Sequence, residues 1–281
     1  MVIRSPSRRP STVPPTRVRA IDVHAHYGEY RSTAYTELRN TFASGSLQTV
    51  LERARRADIE LSFVSPIEAV QGPKADPVGA NRRALAEVAK IPEVRLYAVV
   101  DPTQPETFAQ AHGMLGHPCC VGIKIHPEDH GYPISEHAEA IFAFAAEHHA
   151  VLQTHSGEKN SLPADFVPWA NRFPEVALIL AHLGHGWDHD QSHQVRAIQA
   201  SKHGNVYVDT SSAQNIAPGL LEWAVREIGA ERILFGTDTP SYFVPMQRVR
   251  VEAAEMGDRE KEWIFRCNAI RLFHLDFLKK E

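Results

Sequence analysis

Eight short apolar runs, each ending in polar or turn residues, constrain this chain more than any other feature. They occupy residues 18–26, 59–65, 95–101, 120–126, 151–155, 176–182, 205–210 and 232–238. Several are apolar at consecutive positions (RLYAVVD, ALILAH, ERILFGTD) and do not alternate. An alternating strand keeps one face in water. A continuous run has both faces covered, as in a parallel sheet flanked by helices.

Segments with helical spacing separate these runs. LQTVLERARRA at 47–57 follows Ser46, a residue type that caps helices by accepting a backbone N–H. Residues 77–90 are Ala-rich and stop before Ile91-Pro92. Residues 135–149 carry Ala138, Ile141, Phe142 and Ala145 at helical intervals, with Ser135 positioned to open the helix. Residues 220–228 and 260–275 are patterned similarly. Strand and helix alternating eight times predicts a (β/α)8 TIM barrel over residues 18–281, preceded by a flexible tail at 1–17. The alternative, an open doubly wound sheet, lacks its G-x-G-x-x-G fingerprint, and no Walker loop is present.

Charge narrows the function classes. With 30 basic and 34 acidic residues the net charge is -4, so no basic excess points to nucleic acid. No stretch approaches the ~20 apolar residues that span a bilayer. The opening segment, rich in Arg, Ser and Pro, lacks the apolar core of a secretory signal. The three cysteines, two of them adjacent, make no zinc ribbon or disulfide framework. These features read as a soluble cytoplasmic protein acting on a small molecule, with no nucleic-acid or membrane partner. A homodimer is compatible with them.

The informative residue is histidine, at 16 copies. Strand one ends Asp22-Val-His24-Ala-His26, strand four Lys124-Ile-His126-Pro127, strand five Gln153-Thr-His155, strand six Ala181-His182 and strand eight Gly236-Thr-Asp238. In a TIM barrel the C-terminal strand ends carry the active site. Residues i and i+2 of a strand share a face, so His24 and His26 can chelate one ion, with His155 and Asp238 approaching from other strands. Three neutral imidazoles and a carboxylate suit a divalent metal, zinc above all, with a position left open. Such an ion lowers the pKa of bound water toward ~7. Each residue alone has a plainer explanation: a strand-end histidine is commonly a satisfied hydrogen-bonding group, and an Asp after Gly-Thr can cap a helix. Their coincidence at the ends of several strands carries the reading.

These residues resemble the amidohydrolase superfamily, in particular the amidohydrolase-related group that includes aminocarboxymuconate-semialdehyde decarboxylase. The matching pieces are IDVHAH, GIKIHP, THSG, AHLG, GTDTP and CNAIRLF, in order from residue 21 to 273. The resemblance implies a distorted barrel with a metal on His24, His26, His155 and Asp238. It implies that His182 contacts the attacking water or the substrate. In two-metal members a strand-four lysine is carboxylated and the strand-six histidine becomes a ligand. The K-x-H-P context of Lys124 is similar to one-metal members, which implies a single ion and makes Lys124 and His126 substrate contacts. His185, where the group usually has a small residue, is a further candidate for shaping the pocket. The expected activity is metal-dependent hydrolysis of a C–N or C–O bond, with Asp238 and His182 as the catalytic pair. The competing activity is non-oxidative decarboxylation of an unsaturated or aromatic acid. A barrel that only binds a ligand is the third reading. The compact chain and the short YGEYRST loop after His26 favour hydrolysis.

Overall fold

The computed structural model describes residues 17–71, 75–212 and 216–278, so most of the expected tail lies outside the described residues. Eight parallel strands pair in sequence order: β1 (Ala20–Tyr27), β2 (Ile59–Pro66), β3 (Val94–Val99), β4 (Cys120–Ile125), β5 (Val151–Thr154), β6 (Leu178–Leu180), β7 (Val206–Asp209) and β8 (Ile233–Leu234). Backbone bonds join the two ends of the sheet. Val23 N donates to Phe235 O (2.9 Å), Asp238 N to His24 O (2.7 Å) and His26 N to Thr239 O (2.6 Å). The fold is a (β/α)8 TIM barrel, as the alternation predicts.

The continuous apolar runs are explained by two cores. Ile21, Val23, Phe63, Tyr97, Ile179, Tyr207 and Leu234 fill the barrel. Their neighbours Val64, Leu96, Ala98, Leu178, Leu180, Val206, Val208 and Ile233 face the helices. Each large side chain so buried contributes roughly 1.5–3 kcal/mol.

β1 changes parity along its length. Ile21 and Val23 lie in the inner core, whereas Ala25 and Tyr27 lie in the outer one. The pairing register with β2 shifts between Asp22 and Ala25. Such an irregularity re-aims side chains. It turns the even positions, His24 and His26, toward the barrel interior.

Helix starts follow local chemistry. Ser46 Oγ accepts from Thr49 N (3.2 Å) and caps the helix Leu47–Arg56, as expected. Asp76 Oδ1 accepts from Gly79 N (2.8 Å) before Pro77–Val88. One expectation needs correction. The helix Ile134–Glu147 begins before Ser135, follows Pro133, and has no side-chain cap. The run expected at 260–275 is helical from Asp258 to Leu272, with a π-turn at Trp263–Cys267 between Asp258–Glu262 and Asn268–Leu272. At that turn Ile264 O accepts from Phe235 N (3.0 Å), so the irregular backbone serves the end of β8. Among the described residues no helix is long and apolar enough to cross a membrane.

Candidate active site

Every site residue expected from the sequence lines one cavity of about 220 Å³ at the C-terminal strand ends: His24, His26, Lys124, His126, His155, His182, His185 and Asp238. Only His24, His26 and Lys124 lie within strands. The others sit just beyond them. His182 (φ 70°) and Asp238 (φ 55°) both adopt left-handed backbone. For a non-glycine residue this costs on the order of 1–3 kcal/mol, and such strain clusters at functional sites.

His24 Nε2 lies 3.2 Å from His26 Nε2, and Asp238 Oδ1 lies 3.3 Å from His26 Nε2 and 3.8 Å from His24 Nε2. The far side of each ring is anchored. Asp209 is acceptor-only, so His24 Nδ1–H donates to Asp209 Oδ2 (2.9 Å). His26 Nδ1–H donates to the Ser65 carbonyl (3.2 Å) and also faces Ser65 Oγ (2.9 Å). Both anchors leave bare Nε2 lone pairs pointing at each other and at a carboxylate oxygen. Three lone-pair donors converging in this way make a cation site, and anchoring the distal nitrogen is how metal-binding imidazoles are held. Burial pushes the imidazoles of His24, His126, His155 and His182 well below their ordinary range.

His155 stands apart from this trio. Its Nδ1 faces His182 Nε2 (3.1 Å), and its ring stacks on His126 with centroids 4.3 Å apart. The groups able to hold an ion are His24, His26 and Asp238; His24, His182 and Asp209; and His155, Glu158 and His185. Lys124 is buried at the cavity floor with Nζ 3.2 Å from His24 Nε2, and burial brings its pKa down to about 8.

Sequence reading missed the residues that hold the ligands. Asp209 is fully buried on β7 and accepts from His24 Nδ1, His182 N (3.0 Å), Ser211 N (3.0 Å) and Ser211 Oγ. Ser211 Oγ also meets His182 Nδ1 (2.7 Å) and His24 Nδ1 (3.0 Å). Asp22 accepts from Thr237 Oγ1 (2.6 Å), Thr237 N (3.0 Å) and His24 N (3.1 Å), which ties β1 to the segment before Asp238. Burial pushes its carboxyl up to about 7. A carboxylate closing the apolar run VYVD was the available signal for Asp209.

The described model of the amidohydrolase family matches residues 21–275. The chain belongs to the amidohydrolase family. Among solved structures, this chain is similar to 2,6-dihydroxybenzoate decarboxylase complexed with 2,6-dihydroxybenzoate, at 15% identity and TM-score 0.71, covering 92% of this chain and 99% of that one. It is similar to a dihydroxybenzoic acid decarboxylase from Polaromonas sp. JS666 with bound manganese and the inhibitor 2-nitroresorcinol (16% identity, TM-score 0.69, 92% and 97% covered). It is also similar to a structure described as a 2-pyrone-4,6-dicarboxylic acid hydrolase from Pseudomonas putida (16% identity, TM-score 0.66, 93% and 99% covered). At these identities the likeness carries the fold. No curated protein matches this chain by sequence.

Proposed function

We propose that this chain hydrolyses a C–N or C–O bond, in an amide, lactone or ester of a small organic substrate, with one divalent ion on His24, His26 and Asp238 and with His155 as the further ligand that the resemblance implies. The observation that carries the reading is the convergence of two bare imidazole nitrogens on a carboxylate oxygen at the cavity floor. Two nitrogens and one oxygen suit zinc, with a position left open. Manganese, bound in the Polaromonas enzyme, is the competing ion. When bound, such an ion polarises a carbonyl and makes water acidic near neutral pH.

The protein's own groups do the rest. Asp238 is held by strained backbone with its carboxylate on the floor. It takes the proton of the attacking water and returns it to the leaving group. His182 is oriented by Ser211 Oγ and stabilises the oxygen on which charge develops. Lys124 and His126 contact the substrate beside them. The wall supports hydrolysis over decarboxylation. Glu128, Asp129 and Glu158 line it together with Asp238, against the cations Lys124 and Arg39. Such a wall repels an acid substrate more than an amide or lactone.

Decarboxylation is the second reading. It is favoured by the buried Lys124 ammonium, a counter-ion for a substrate carboxylate, and by neighbours that are decarboxylases. The deciding experiment screens amides, lactones and aromatic acids in oxygen-18 water. Product carrying the heavy oxygen is expected. Carbon dioxide release without it would replace hydrolysis with decarboxylation. His182→Ala should keep its metal, measured by inductively coupled plasma mass spectrometry, while turnover falls ~10²-fold or more. Loss of the metal instead would make His182 a ligand.

A further inference from the structure

We infer that Ser211 is a positioning residue: it decides which ring nitrogen carries the proton in His182 and, through His182, in His155, a role that rests on the proposed function only for the ion these rings would serve. Ser211 lies just past β7 and is fully buried. Its Oγ meets three side chains, at Asp209 Oδ1, His182 Nδ1 (2.7 Å) and His24 Nδ1 (3.0 Å). A hydroxyl has one proton to give and two lone pairs to offer.

Asp209 only accepts, so the single hydroxyl proton of Ser211 goes to Oδ1. Ser211 Oγ is then an acceptor toward both imidazoles, and His182 carries its proton on Nδ1. Burial, the largest influence on both His155 and His182, opposes a second proton on either ring. His182 Nε2 is therefore bare. It faces His155 Nδ1 at 3.1 Å. Two lone pairs at that distance repel, so His155 donates from Nδ1 and leaves its own Nε2 bare. That is the state in which an imidazole can ligate a metal, and the bond at the other ring nitrogen sets it. One buried carboxylate thus orders three rings. It holds His24 directly through Oδ2 (2.9 Å), His182 through one hydroxyl, and His155 through the ring between them.

The surroundings fix Ser211 in this place. Ser211 N donates to Asp209 Oδ1 (3.0 Å), and the buried Gln247 donates from Nε2 to Ser211 O (2.8 Å), so its backbone is held on both sides. Thr210 N donates to Leu234 O (3.1 Å), which ties the turn to β8. A Cβ on Gly236 would lie 3.0 Å from His24 Cβ and 3.1 Å from Ser211 Cβ, so glycine there lets β1, Ser211 and the end of β8 meet. His182 N donates to the same Asp209 Oδ1 (3.0 Å), which binds the ring's own backbone to the carboxylate that orders it. The bond also serves His182 as it acts. To donate from Nε2 to an oxygen gaining charge, His182 must be the imidazolium. Its Nδ1–H then keeps the same acceptor, and a hydrogen bond from a charged donor is roughly twice as strong as a neutral one.

The test reads the tautomers in metal-free protein. Long-range nitrogen–proton NMR is recorded on protein labelled with nitrogen-15 histidine, and His155→Asn and His182→Asn assign the signals. In the wild-type protein both rings should carry the proton on Nδ1. In Ser211→Ala, His182 loses its acceptor, and the proton of both rings should move to Nε2. His24 keeps its bond to Asp209 and is the internal control. Zinc affinity of Ser211→Ala, measured against a chromophoric chelator, should fall about 10–100-fold. Wild-type protein with the proton of either ring on Nε2 would overturn the inference without recourse to any variant. Unchanged tautomers in Ser211→Ala would overturn it as well, whatever the affinity. Neither readout involves substrate, so a failure of the proposed hydrolysis leaves both intact.

Discussion

Asp209→Asn tests whether the buried carboxylate sets the chemistry of a residue it holds at arm's length. The carboxylate is acceptor-only, so it obliges His24 to carry its proton on Nδ1 and to present a bare Nε2. Asparagine keeps the volume but must turn an NH2 toward some of the donors around it. On one side Oδ1 receives His182 N, Ser211 N and Ser211 Oγ. On the other Oδ2 receives His24 Nδ1 and, at 3.3 Å, Gln153 Nε2. Three donors against two favour keeping the oxygen on the first side, which puts NH2 against His24. His24 then accepts on Nδ1, and its proton moves to Nε2, where the ion should bind. One hydrogen bond to a charged group is lost, at about 1.5–3 kcal/mol. At ~1.4 kcal/mol per tenfold, metal affinity should fall by about 10–100-fold, the usual size of such effects. Competition of zinc against a chromophoric chelator reads the affinity, and long-range nitrogen–proton NMR reads the His24 tautomer. A folded Asp209→Asn protein with wild-type zinc affinity and the proton still on Nδ1 would refute the reasoning.

Two further outcomes follow from burial alone. Arg248, 1% exposed, donates to Val18 O (2.6 Å) and Ala57 O (2.9 Å). Arg248→Ala orphans both carbonyls and should lower stability by roughly 2–6 kcal/mol in denaturant titration, at about 1–3 each. A loss below 1 kcal/mol would mean that water or a neighbour replaces it. Burial pushes the Cys120 thiol up to about 12 and raises Cys119 and Cys267 above the ordinary thiol range, so little of each is thiolate at pH 8. Ellman's reagent should therefore label the folded protein slowly and all three thiols quickly in denaturant; rapid labelling of two or more in the native state would contradict this.

The barrel was legible because apolar runs report burial on both faces, and burial does not depend on fine geometry. His24 and His26 were legible because i and i+2 share a face on either side of a register shift. The shift itself, which decides that this face is the inner one, leaves no mark in IDVHAH. His182 and Asp238 were named from position, yet their aim depends on left-handed backbone that no spacing encodes. Ser211 was passed over because a serine after a strand reads as an ordinary turn, and its three partners come from β1, β7 and the loop after β6. The π-turn at Trp263–Cys267 escaped for a similar reason. One extra residue in a helical turn barely disturbs a 3.6-residue pattern, and its cause lies on β8.

The seam between β8 and β1 makes the site a product of late assembly. Asp22 and Thr237 are bonded partners 215 residues apart in the chain, and His24 O receives the backbone of Asp238 across the same seam. A ribosome that has released β1 through β7 has exposed His24 and His26 but not Asp238, the carboxylate that completes their trio. Closing so long a loop is among the slowest steps available to a chain of this kind. An ion held by His24, His26 and Asp238 therefore cannot template the early barrel. It can only lock one whose last strand has already arrived, so metal capture would report completed folding and not guide it.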